Sequence, residues 1–105
     1  MSDRILQFRQ KLKICPDNHL YKFSLAQMLY KDGIYKEAAE LFEECLFFRP
    51  DWMMSALFLS KVYLALGNTE LAIKNLKITK RLAIEQNHED PLGEVNELLA
   101  KIDYI

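Results

Sequence analysis

Residues 16 and 50 are both proline, residues 17 and 51 are both aspartate, and a shift of 34 residues lays one stretch of the chain over the next. Under that shift Leu25 meets Leu59, Ala26 meets Ser60 and Leu29 meets Tyr63. The match continues without a gap, with Gly33 on Gly67, Ala38 on Ala72, Phe42 on Leu76 and Cys45 on Thr79. Small residues fall on small ones and large apolar residues on large ones. A repeat of this length is a supersecondary unit that cannot bury its apolar face alone, so its copies stack and share one continuous core.

The spacing within each copy is helical. Leu25, Met28 and Leu29 stand three and four apart, as do Ala38, Leu41, Phe42, Cys45 and Leu46, which gives two amphipathic helices on either side of Asp32-Gly33. Gly33 ends the first helix because it can take the left-handed conformation that a helix terminus often needs, and Gly67 before Asn68 does the same in the second copy. Turns this short force antiparallel pairs. Ala26, Ser60, Ala38 and Ala72 let the paired helices approach closely, Phe42 and Leu76 fill the space beside them, and Pro16 and Pro50 stop the preceding helices.

These residues resemble the tetratricopeptide repeat, whose motif runs W-x2-L-G-x2-Y, then A-x3-F, then P over 34 residues. Leu25 and Leu59 match the leucine, Ala26 and Ser60 replace the glycine by other small residues, and Leu29 and Tyr63 match the tyrosine. The tryptophan position carries Lys22 and Ala56, and Ile84 stands where the second copy would have proline, so the last helix of that copy is expected to run on toward Gln86. The resemblance is to small stand-alone bacterial members with two central repeats and terminal capping helices. It implies an all-α fold, a right-handed α-α superhelix of antiparallel helix pairs with about six helices. One domain is expected over 1–105, with an N-terminal capping helix at 3–15, repeats at 19–52 and 53–86, and a C-terminal capping helix at 91–103. Ile5, Leu6, Phe8, Leu12 and Ile14 mark the apolar positions of the first cap, and Leu92, Val95, Leu98, Leu99 and Ile102 mark one face of the last.

Bulk properties agree with one soluble domain. The chain has 105 residues, 50% of them hydrophobic and 28% charged, with a net charge of -1 and a pI near 6.1. Such a balance has enough apolar material for a core and no strong field toward nucleic acid or anionic membrane. Arg4, Arg9, Lys11 and Lys13 interrupt the apolar residues of the start, so no secretory signal is read there. Arg49, Pro50 and Asp51 cut the most apolar stretch, so no membrane insertion is expected, and a cytoplasmic location with Cys15 and Cys45 reduced is the reading.

Candidate chemistry is sparse. Cys15 and His19 lack the further ligands a zinc site needs, Cys45 sits at a small-residue packing position, and the three glycines already serve turns or helices rather than a phosphate loop. Glu37, Glu40, Glu43 and Glu44 read as a solvated acidic face, and Lys74, Lys77, Lys80 and Arg81 as a solvated basic one without aromatic residues for base stacking. The expectation is therefore a non-enzyme with no metal and no cofactor.

The family resemblance implies that binding takes place on the concave surface, lined by the first helix of each pair. It places Leu20, Phe23, Ser24, Gln27, Tyr30 and Lys31 there from the first copy, and Met54, Leu57, Phe58, Lys61, Leu64 and Ala65 from the second. The expected partner is a protein, bound as a peptide or helix in an apolar groove, with no nucleic acid partner; the chain then acts as a scaffold or adaptor. Family members that grip charged chaperone termini use a lysine and asparagine clamp, and Phe23 and Gln27 replace its first members here, which argues against that specialised function. The alternatives are a self-associating structural subunit, as in a homodimer, and a small chaperone that shields an apolar segment of a client. Phe47 falls where such a helix faces solvent, so a second contact including Phe47 and Trp52 is expected beside the corner packing of Phe48, Met53 and Met54.

Overall fold

The structure, a computed structural model, describes residues 3–103. Among these described residues six helices follow one another: α1 (Asp3–Ile14), α2 (His19–Lys31), α3 (Tyr35–Phe48), α4 (Met53–Ala65), α5 (Thr69–Glu85) and α6 (Glu89–Asp103). Among the described residues there is no strand. Each helix packs on the next, and α2 also touches α4, so the first helices of the two hairpins form an inner row while α3 and α5 stand outside it. The result is an elongated stack of 42 × 28 × 20 Å.

The helix ends explain the tight turns. Gly33 and Gly67 both adopt φ 78°, in the left-handed region. After Gly33 the chain reverses, with Ile34 N–H donating to the Leu29 carbonyl at 2.8 Å and Gly33 N–H to Tyr30 at 3.1 Å; Asn68 and Gly67 repeat the pattern onto Tyr63 and Leu64. These paired bonds satisfy carbonyls that the helix end would otherwise leave open. Asn87, at φ 57°, closes α5 in the same way, with His88 N–H reaching the Ala83 carbonyl. Asparagine tolerates this conformation because its short side chain can bond locally. At the opposite ends, Asn18 and Asn68 accept hydrogen bonds from the backbone of Tyr21 and Leu71 and cap α2 and α5.

The last helix begins at Glu89, two residues before Pro91. Proline fits there because the first-turn N–H groups of a helix have no internal partner to lose. Helix α5 ends at Glu85, and the Gln86 side chain donates to the Asp51 carbonyl at 3.1 Å.

One core runs from α1 to α4 through Ile5, Leu25, Leu29, Ala38, Phe42, Leu59 and Val62. Two further clusters, Met53 with Leu82 and Ala83, and Leu57 with Leu76 and Val95, pack α4 and α5 and reach α6. Ala26, Ala38, Ala72 and Ser60 are fully buried, as close helix approach demands. The buried polar side chains are satisfied locally: the hydroxyls of Ser60 and Thr79 donate to carbonyls four residues back, and Asn75 does the same to Leu71. Ser55 instead crosses between helices and donates to the Phe42 carbonyl at 3.0 Å.

Candidate functional site: an aromatic ladder on the inner helix row

Phe23 on α2 lies at the centre of the inner row. Its ring stacks on Trp52 at 4.9 Å and meets Phe42 at 5.6 Å and Phe58 at 6.0 Å, both edge to face. Phe58 stacks on Phe42 at 5.5 Å and meets Tyr30 at 6.0 Å, and Tyr30 continues to Tyr35. Five rings thus form a ladder, Trp52 at the start of α4, Phe23 and Tyr30 on α2, Phe58 on α4 and Tyr35 at the start of α3, with Phe42 buried beneath it. The ladder rings are half-buried. Such rings offer large apolar area at low conformational cost, with polar tips on tyrosine and tryptophan.

Exposed aliphatic side chains stand on the same two helices, and basic groups lie against two of the rings. Leu20 is 68% exposed and Met54 37%. Arg49 lies 5.8 Å from the centre of the Trp52 ring and Lys61 5.4 Å from that of Phe58, both in the cation–π range. Lys61 is also ion-paired with Glu94 of α6, which fixes its head at the edge of the ladder. Toward α1, a recess of about 160 Å³ is lined by Arg4, Phe8, Ser24, Gln27, Met28 and Lys31. Among the described residues, no group of three or more His, Cys, Asp and Glu side chains is placed to hold a metal ion.

Leu57 corrects the sequence-based lining. It is 2% exposed and packs with Leu76 of α5 and Val95 of α6, so the closing helix covers it. Helix α4 is apolar almost all the way round, with Met53, Ser55, Ala56, Leu57, Leu59, Ser60 and Val62 all buried, so its pattern does not tell which face stays open. Leu64 is half-buried and Ala65 and Lys31 are exposed near the helix ends.

Phe47 faces solvent as its position suggests, but Trp52 does not share its surroundings. Trp52 belongs to the ladder, whereas Phe47 stands 92% exposed on α3 beside Leu41 and the glutamates 37, 40, 43 and 44. Of the other corner residues, Met53 is buried against Leu82 and Ala83, and Phe48 stacks on His19 at 3.7 Å. That stack joins the end of α3 to the start of α2, and no spacing in the sequence announces it. Cys45 is fully buried, its thiol near the His19 carbonyl at 3.6 Å, and burial pushes its pKa up to about 11, with Lys22 opposing and Glu44 adding to the effect. Tyr63 donates to Glu43 at 2.6 Å, and burial together with that bond raises its pKa far above the usual tyrosine value.

No protein-family model and no curated protein matches the chain. Solved structures do. The crystal structure of a tetratricopeptide repeat domain protein from Salinibacter ruber superposes with a TM-score of 0.77, at 26% identity over 85% of this chain and 99% of that one. A solution structure of a tetratricopeptide repeat domain protein from the same organism gives 0.72, at 28% identity over 82% and 87%.

The chain has the tetratricopeptide-repeat fold.

A solution structure of a protein from Bordetella parapertussis shares it over 99% of this chain and 90% of its own, with a TM-score of 0.85 at 17% identity. In this chain the helices that form the inner row, α2 and α4, carry Phe23, Tyr30 and Phe58 of the aromatic ladder. None of the six helices is long and apolar enough to cross a membrane among the described residues.

Proposed function

We propose that this chain is a non-catalytic protein-interaction module that takes an apolar partner segment, helix or extended peptide, along the ladder of Trp52, Phe23, Phe58 and Tyr30. What supports this reading is the run of half-buried rings together with exposed Leu20 and Met54 on the same two helices, α2 and α4. Anchors of this kind, aromatic floors with mobile aliphatic side chains above them, desolvate a partner's apolar residues without ordering the whole surface. Arg49 and Lys61 beside the rings are already paired with Asp51 and Glu94, so the apolar rings rather than a net charge set the class of partner. Ser24 and Gln27 supply hydrogen bonds at the α1 end, next to Arg4 and Lys31. In this reading the chain works as an adaptor or scaffold in the cytoplasm.

Peptide display against the folded chain provides the test. Selected peptides are titrated while the emission of Trp52, the chain's one tryptophan, is followed. Phe23 and Phe58 pack on Phe42, so replacing them would disturb the core; Leu20→Glu with Met54→Glu leaves it intact. The double variant is expected to retain its helical signal and weaken binding by about tenfold or more, as loss of an interface anchor does. Equal affinity in both proteins would refute the groove.

A further inference from the structure

The outer helices carry opposite charge at the same register. Glu40 and Lys74, Glu43 and Lys77, and Phe47 and Arg81 each stand 34 residues apart, and so occupy equivalent places on α3 and α5. On α3, Glu37, Glu40, Glu43 and Glu44 surround Leu41 and Phe47 in an open recess of about 620 Å³. On α5, Lys77, Lys80, Arg81, Ile84 and Glu85 line another of about 400 Å³, where Ile84 is 56% exposed. One recess has an acidic rim and a projecting aromatic ring; the other has a predominantly basic rim and an apolar floor.

The acidic side is held in place from within. Arg9 bonds Glu37 through both guanidinium nitrogens at 2.6 and 2.9 Å, Lys22 approaches Glu44 at 3.9 Å, and Tyr63 donates to Glu43. Glu40 and Phe47 project beyond these contacts into solvent. A phenylalanine left 92% exposed amid carboxylates gains nothing within its own chain. Against lysine and arginine heads with an isoleucine beneath, it gains cation–π contact and apolar burial together.

We propose that the chain pairs with a second copy of itself through α3 and α5, Phe47 of each copy entering the recess of Lys77, Lys80, Arg81 and Ile84 on the other. A two-fold axis between the helices brings the acidic half of one copy onto the basic half of the other twice, and so closes the assembly as a dimer. A second copy is the occupant because both complementary halves lie on the same molecule, and a net charge of -1 leaves little overall repulsion between copies. This surface is on the outer helices, so the proposal stands independently of peptide binding on the inner row.

Sedimentation velocity of the intact chain over a range of concentrations tests it. The wild type is expected to show a monomer–dimer equilibrium whose dissociation constant rises about tenfold or more between about 50 mM and about 500 mM salt. Glu40→Lys with Glu43→Lys, and separately Lys77→Glu with Arg81→Glu, each reverse two charges on one outer helix so that like charges face each other across the pairing, and each double variant alone is expected to be monomeric. Mixed one to one, the two are expected to pair again, because each then offers the charge the other lacks. Phe47→Ser is expected to be monomeric with an unchanged helical signal. A wild type that stays monomeric at all concentrations in low salt overturns the proposal, and so does a dimer that either charge variant leaves intact or that their mixture fails to restore. Leu20→Glu with Met54→Glu should leave the dimer unaffected, which separates this result from failure of the groove.

Discussion

Phe42 and Phe47 lie on one helix five residues apart, and replacing each by alanine should have very unequal consequences. Phe42 is fully buried, stacks on Phe58 and meets Phe23 edge to face, and lies under Ser55, whose hydroxyl bonds its carbonyl. Removing a buried phenylalanine ring costs about 3–5 kcal/mol from lost transfer energy and the cavity left behind. Two aromatic contacts, each adding about 0.5–1.5 kcal/mol beyond area, put Phe42→Ala toward the upper part of that range. Domains of this size have roughly 5–15 kcal/mol in all, so the variant should lose a third or more of its stability, and its Tm should fall by about 20 °C. Phe47, 92% exposed, should change stability by less than about 0.5 kcal/mol when made alanine. Both are measured by urea and thermal unfolding followed by circular dichroism, in high salt and at low concentration so that association does not contribute. A loss below about 2 kcal/mol for Phe42→Ala, or an equal loss for Phe47→Ala, would refute the placement of Phe42 in the buried core and of Phe47 outside it.

Two glycines should respond with opposite sign although an added Cβ has open space at both. Gly67→Ala, at φ 78°, should cost about 1 kcal/mol, while Gly93→Ala, inside α6, should gain about 0.5–1 kcal/mol; equal signs in urea midpoints would contradict the turn geometry. Alkaline stability should follow Cys45. The unfolded thiol releases its proton near 9.0 and the folded one only near 11, so the folded state binds more protons in that window and stability falls as pH rises through it. Tyr63, also raised, acts in the same direction above its ordinary value of 10.0. Urea midpoints measured from neutral pH to about 11 should therefore fall less steeply for Cys45→Ala than for the wild type, and parallel curves would rule the thiol out.

The all-helical architecture was legible because its signals are local and occur twice. Gly33 and Gly67 recur at one spacing, and in the structure both turn through the same backbone angle with the same pair of hydrogen bonds. Asn87 makes a third turn of this kind outside the period, since α5 is 17 residues long where α3 is 14, and an asparagine among polar residues is a weak signal. The proposed binding surface was less legible. Leu57 shares a spacing with Met54, Phe58 and Lys61, but whether α6 covers it depends on how Val95 docks, which no pattern within α4 records. Trp52 read as a corner residue grouped with Phe47, and only the approach of α2 to α4 places it on Phe23. The exchange of glutamate for lysine at equivalent positions of the outer helices is plain in the sequence, yet it reads as two solvated faces until the stack sets both on the outside.

Chemical-shift mapping of the ¹⁵N-labelled chain with a display-selected peptide tests the account most directly. The account predicts that the shifted amides concentrate on α2 and α4 around Leu20, Phe23, Ser24, Gln27, Met54 and Phe58, with the Trp52 indole among the most affected signals. Shifts confined to the outer surfaces of α3 and α5, with the Trp52 indole unmoved, would contradict it.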